Sequence, residues 1–174
     1  MDQQLTKTEE TTLITLLEKL TPPYPPEIFH AICQSFVTVA IELAVIRTRR
    51  NVKEIFLIER HDADFNGWHL PGSVILPSET VEDKVANLIS SEVGDIVNTA
   101  TFIRWFEFMK GEGANECARG QEFGLLYTLH ISETVEIGKE IKNGIFVSLK
   151  ETPSNIWQNI LPHHKTIIEF LRTL

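Results

Sequence analysis

The sequence predicts an α+β fold, an α/β/α sandwich in which a mixed β-sheet lies between helices behind an N-terminal helical arm. Three observations lead there. Phe123, Leu125, Tyr127, Leu129 and Ile131 keep a strict period of two, the mark of a strand with one buried face. Val- and Ile-rich runs at 36–47 and 54–60 flank a short polar turn. Helical patterns are few and irregularly placed among the strands, which argues against a regular βαβ array.

The elements follow in order. Leu13, Leu16, Leu17 and Leu20 recur at helical spacing, so Thr8 to Leu20 reads as an amphipathic helix, with Thr6 and Glu9 as a capping box. Four prolines at 22, 23, 25 and 26 make a stiff extended connector, and Pro26 suits the first turn of a second helix, Glu27 to Gln34. Residues 1–35 are thus an arm, and 36–174 a domain. The arm reads as a segment packed across the domain, ahead of a homodimerisation element.

Phe36 to Arg47 is a buried strand, Arg49-Arg50-Asn51 a polar turn and Glu54 to Arg60 a second strand. Trp68 to Pro71 is short and extended. Ser78 reads as the N-cap of a helix carrying Glu79, Glu82 and Asp83 in its first turn and ending at Gly94. Thr99 to Met109 and Glu122 to Ile131 are strands joined by a charged, Gly-rich loop, Lys110 to Gln121. Gly144 to Leu149 is a last strand before a helix from Pro162 to Leu174.

Of the 174 residues, 16 are Lys or Arg and 24 Asp or Glu, a net charge of −8. A surface of that sign repels nucleic-acid backbones and anionic lipid, so neither nucleic acid nor membrane is an expected partner; a small basic pocket for one phosphorylated ligand remains compatible. The polar start shows no secretory signal, and Phe36 to Ile46 is too short to span a bilayer. Cys33 and Cys117 form neither a disulfide framework nor a Cys-x-x-Cys site, which points to a reducing, cytoplasmic setting.

One segment carries chemical information. Leu70-Pro71-Gly72-Ser73 is followed after five residues by Glu79, and seven residues later by Asn87-Leu88-Ile89-Ser90-Ser91-Glu92-Val93-Gly94-Asp95. This resembles the Nudix box, G-x5-E-x7-R-E-U-x-E-E-x-G-U with U a bulky apolar residue, in register and without a gap. The resemblance covers about Phe36 to Leu174. It implies a Nudix-like sheet between helices, and a Mg²⁺-dependent site for nucleoside-diphosphate-linked substrates.

The departures are chemical. Glu79, Ile89, Glu92 and Gly94 keep the motif, whereas Ser73 replaces its glycine, Asn87 its arginine, Leu88 and Ser91 two glutamates, and Asp95 an apolar residue. Positions 88, 91 and 92 share a helix face, so the surface that holds cations in active members offers leucine, serine and one carboxylate. Mg²⁺ takes hard oxygen ligands, commonly one or two carboxylates with phosphates and water. Losing preorganised groups of this kind costs on the order of 10²–10³ in rate per group. Leu88 instead joins Val81 and Val85 in an apolar packing stripe.

Glu92 and Glu79 are the candidate catalytic residues, and Glu92, Glu116 and Glu122 the candidate metal ligands. Glu79 reads first as a helix-terminus stabiliser, and Glu92 equally as a metal ligand or a solvated helix-end carboxylate. Glu42, inside an apolar strand, needs a cation, a ligand or an exposed edge, with Arg60 or Arg104 as its partner. Glu42, Arg60, Arg104 and Glu122 are thus the candidate ligand-binding residues. Trp68, Phe102, Trp105 and Phe106 read as core, and His163-His164 as a solvated helix start. The order of functions is a Nudix-like domain binding a nucleotide-like small molecule with little or no hydrolysis, then a Mg²⁺-dependent hydrolase with rebuilt ligands, then a structural or partner-binding protein.

Overall fold

The computed structural model describes residues 4–61, 65–94, 99–111, 119–132 and 143–174. Its elements are α1 (Lys7–Glu18), α2 (Pro26–Ser35), β1 (Thr38–Arg49), β2 (Val52–His61), β3 (Asn66–His69), β4 (Gly72–Val74), α3 (Val81–Glu92), β5 (Thr101–Phe108), β6 (Glu122–Ile131), β7 (Gly144–Ser148), α4 (Ser154–Gln158) and α5 (Pro162–Leu171). The expected strands are present within a few residues. The short α4 was not expected, because five residues after a proline carry too little periodicity to register.

The sheet runs β3-β2-β1-β6-β5, with β4 paired to β1 and β7 to β2. It is mixed because β1 and β6 are parallel while the other pairs are antiparallel. The β1–β2 turn places Arg50 and Asn51 at positive φ, the conformation that a tight hairpin turn requires. Among the described residues, no helix is long and apolar enough to cross a membrane.

Alternation along β1 divides the core in two. Ile41, Leu43 and Val45 pack with Val85, Leu88 and Ile89 of α3. Ala44 and Ile46 point the other way, into a cluster with Ile167, Ile168 and Leu171 of α5. The sandwich therefore follows from strand parity: each face of β1 buries apolar side chains under a helix. Glu42 shares its parity with Ala44 and Ile46, which aims it at α5.

Four sequence expectations need correction. The cap of α3 is Thr80, whose hydroxyl accepts from Asp83 N–H at 3.0 Å, while Ser78 sits in the turn before it at φ 70°. Phe102 and Trp105 are not core: they lie on the edge strand β5, with Trp105 55% exposed. They pair with Tyr127 and Phe123 of β6 across the strand instead. His163 and His164 are buried rather than solvated. Arg104 has its guanidinium over the rings of Phe106 and Phe170, at 4.7 and 5.0 Å, rather than on Glu42. The capping box of α1 forms as expected, with Thr6 and Glu9 exchanging backbone hydrogen bonds.

Candidate functional site

The box segment folds as a turn and a helix. Gly72 in β4 stands opposite Glu42 in β1, and a methyl group at 72 would lie 2.8 Å from Glu42 Oε2 and 3.0 Å from the Ile41 carbonyl. Glycine is needed there because a carboxylate and a carbonyl fill the space a side chain would take. Glu79 precedes the helix: its carboxylate accepts from Leu76 N–H at 2.7 Å and lies 2.8 Å from Lys84 Nζ. Those hydrogen bonds hold its pKa below the usual carboxylate value. Glu79 clips the turn to the first turn of α3.

Along α3 the positions that align with the motif's glutamates differ in burial. Leu88 is 3% exposed in the apolar cluster, whereas Asn87 and Ser91 are exposed. Glu92 ends the buried stripe and accepts from Gly72 N–H at 3.3 Å. Burial pushes its pKa up to about 7, the nearby charge of Glu42 adds to the rise, and Gly72 N–H and Arg60 oppose it.

Behind Gly72 lies a buried polar group. Glu42, 3% exposed, has Oε2 2.9 Å from His164 Nε2. His164 Nδ1 accepts from Leu70 N–H at 2.9 Å, which puts the ring proton on Nε2 in the neutral form. Burial, with the charges of Arg119 and Arg60, lowers the His164 pKa to about 3, so the contact is with a neutral ring rather than an ion pair. The contact is close but not aligned as a hydrogen bond. Burial raises the Glu42 pKa to about 7, against the charges of His163 and Arg119. Glu122 opens β6 and is also buried; Thr38 Oγ1 donates to it at 3.2 Å and Arg119 lies 3.3 Å away. Its pKa is raised, chiefly by burial.

Glu42, His163 and His164 place ligand atoms within 4.8 Å of one another. Two imidazoles and one carboxylate do not match the hard oxygen set of Mg²⁺. A ligating histidine normally donates from its other nitrogen, yet His164 Nδ1 faces a backbone donor. Binding a cation through Nε2 would require removing the proton that this donor fixes there. On α3, Glu92 is the one residue that lines the cleft in front of Gly72. Among the described residues, neither the histidine cluster nor the box helix supplies the oxygen set of the Mg²⁺ that the family resemblance implies.

In front of Gly72 is an open cleft of about 480 Å³ whose lining includes Tyr24, Phe29, Arg60, His69, Glu92 and Arg119. Its lining carries the guanidiniums of Arg60 and Arg119, the latter also against Glu122, and the carboxylate of Glu92. Of the sequence candidates, Glu92 and Arg60 line this cleft, Glu42 and Glu122 are buried beside it, and Glu79 braces its turn. Arg104 is absent from its lining, and Glu116 falls outside the described residues. The sequence reading missed Arg119, His69, Tyr24, Phe29 and the histidine pair. For His164, the recurrence at Ile167, Ile168 and Leu171 marks a buried face that begins with His164 itself.

No family model matches the chain, and no curated protein matches it. Solved structures do. The Nudix domain of Shewanella oneidensis NrtR, in complex with ADP-ribose, superposes with TM-score 0.61 at 16% identity, covering 97% of this chain and 98% of that one. A MutT/nudix family protein from Enterococcus faecalis gives 0.58 at 16%, covering 95% and 73%. The C. elegans Ap4A hydrolase gives 0.57 at 12%, covering 79% and 95%. At these identities the likeness defines the fold: the chain has the Nudix fold.

Proposed function

We propose that this Nudix-fold chain binds a nucleotide-like small molecule bearing a diphosphate, with little or no hydrolysis. Fold does not decide activity, so the proposal rests on the site. The observation that carries it is Leu88, packed into the core at the position where the motif has a glutamate, leaving Glu92 as the lone box-helix carboxylate at the cleft. Arg60 and Arg119 supply cationic forks suited to phosphate oxygens. The cleft volume lies in the ordinary range for small-molecule sites. The ADP-ribose held by the Shewanella domain supports the ligand class.

Magnesium-dependent hydrolysis with rebuilt ligands has one observation in its favour. The charge of Glu42 raises the pKa of both Glu92 and Glu122, as expected of crowded carboxylates that a cation would relieve.

The deciding experiment pairs two measurements on the full chain: calorimetric titration with ADP and ADP-ribose, and monophosphate release from both with Mg²⁺ or Mn²⁺. Binding without turnover is the expected result. Turnover abolished by Glu92→Gln would overturn the proposal and establish the hydrolase.

A further inference from the structure

We propose that the segment around Tyr24 and Phe29 forms a wall of the ligand cleft that reads a ring attached to the diphosphate, making the N-terminal arm a specificity element. This rests on the ligand class proposed above.

The arm is not uniform. Helix α1 buries none of its residues and leaves Leu13, Leu16 and Leu17 exposed. Helix α2 is docked: Cys33 is buried, and its carbonyl lies where a side chain at Gly120 would stand, 2.0 Å from that position. Lys110, two residues beyond β5, donates to the Gln34 side chain. The Arg119 guanidinium lies 6.0 Å from the centroid of Phe29. Arg119 and Gly120 thus hold the arm beside the cleft, and the same segment carries Arg119 into its lining.

The result is a lining with two chemistries. Arg60 and Arg119 are cationic, whereas Tyr24, set between Pro23 and Pro25, and Phe29, in the first turn of α2, are half-buried rings. Prolines cut the conformational freedom lost on ordering, so these rings sit on a pre-formed wall. Inorganic diphosphate would use only the guanidiniums. A ligand with a planar base would also stack, and base–aromatic stacking corresponds to about tenfold in affinity or more.

The test titrates ADP and inorganic diphosphate, without added metal, into the full chain and its variants. Expected is an ADP preference of about tenfold that falls to near unity in Tyr24→Ala and Phe29→Ala, with diphosphate affinity within about twofold of the parent. Tyr24→Phe should keep the preference, and Leu16→Ser, on the exposed helix, should change neither affinity. Thermal unfolding of each variant separates a lost wall from a lost fold. Diphosphate binding with no ADP preference, or a preference that survives both alanine variants in folded protein, overturns the inference and leaves the ligand class standing. Failure of the parent chain to bind either probe removes the ligand class, and the inference with it.

Discussion

Glu42 Oε2 and His164 Nε2 stand 2.9 Å apart with both side chains buried, joining the one acidic position of the central strand to the first turn of α5. Neither group is in its ordinary state. The backbone N–H of Leu70 fixes the imidazole tautomer, and burial keeps the imidazole neutral and favours a protonated carboxyl. The pair lies directly behind Gly72, so its protonation is felt at the cleft through Glu92.

This pair sets a pH dependence of stability. The Glu42 pKa is raised from 4.5 to about 7, so its contribution is fully present below 4.5 and is lost as pH rises through 7. His164 acts oppositely: its pKa is lowered from 6.5 to about 3, and its contribution, present above 6.5, is lost as pH falls through 3. Above pH 6.5 the carboxyl is the pair's one contribution, and Glu92, also raised to about 7, adds a loss of the same sign, so the comparison of Glu42→Gln with the parent isolates Glu42. Glu42→Gln is expected to be more stable than the parent at pH 8.5 by on the order of 2–3 kcal/mol, and to lose most of that advantage at pH 5. Urea unfolding at the two pH values measures it.

Restoring the motif on α3 has two different costs. Leu88→Glu puts a charge into the apolar cluster and is expected to destabilise by about 3 kcal/mol or more. Ser91→Glu adds its carboxylate on an exposed position and should change stability by less than about 0.5 kcal/mol. Denaturant midpoints of the two variants, side by side, check the contrast.

Gly120 is the hinge point of the arm's attachment. Its φ of 149° and the Cys33 carbonyl both exclude a side chain. Gly120→Ala is expected to cost about 2 kcal/mol or more and to release the arm, read as a gain in proteolytic cleavage between residues 20 and 36. Unchanged cleavage in the variant would show that the arm is held elsewhere.

Ligand affinity should depend on Glu92. With a pKa near 7, it bears a full negative charge at pH 8 and little at pH 6, so an anionic ligand should bind several-fold tighter at the lower pH. Glu92→Gln should bind with the tighter affinity at both. Calorimetry with ADP at the two pH values, subtracting the ligand's own protonation, tests this.

What the sequence determined alone is what short-range physics controls. Thr6 and Glu9 cap α1 because their spacing meets each other's backbone. Residues 122–131 form a strand because a two-residue period matches the pleat, although both faces of that strand are covered: Leu126 and Thr128 on one, Leu129 and Ile131 on the other. Leu88 packs with Val85 as expected because an apolar stripe on a helix seeks a core.

Tertiary structure decided the rest. The apolar recurrence after His164 marks a buried helix face, but not what that face meets; β1 and α5 come together only in the folded chain. Arg104 went to aromatic rings instead of Glu42 because β5 is an edge, where Trp105 also stays exposed. Tyr24 and Phe29 became a cleft wall through a clamp nearly a hundred residues away. Local sequence sets backbone preferences and face periodicity, but which faces meet depends on contacts between distant segments, and every group of the cleft is assembled by such contacts.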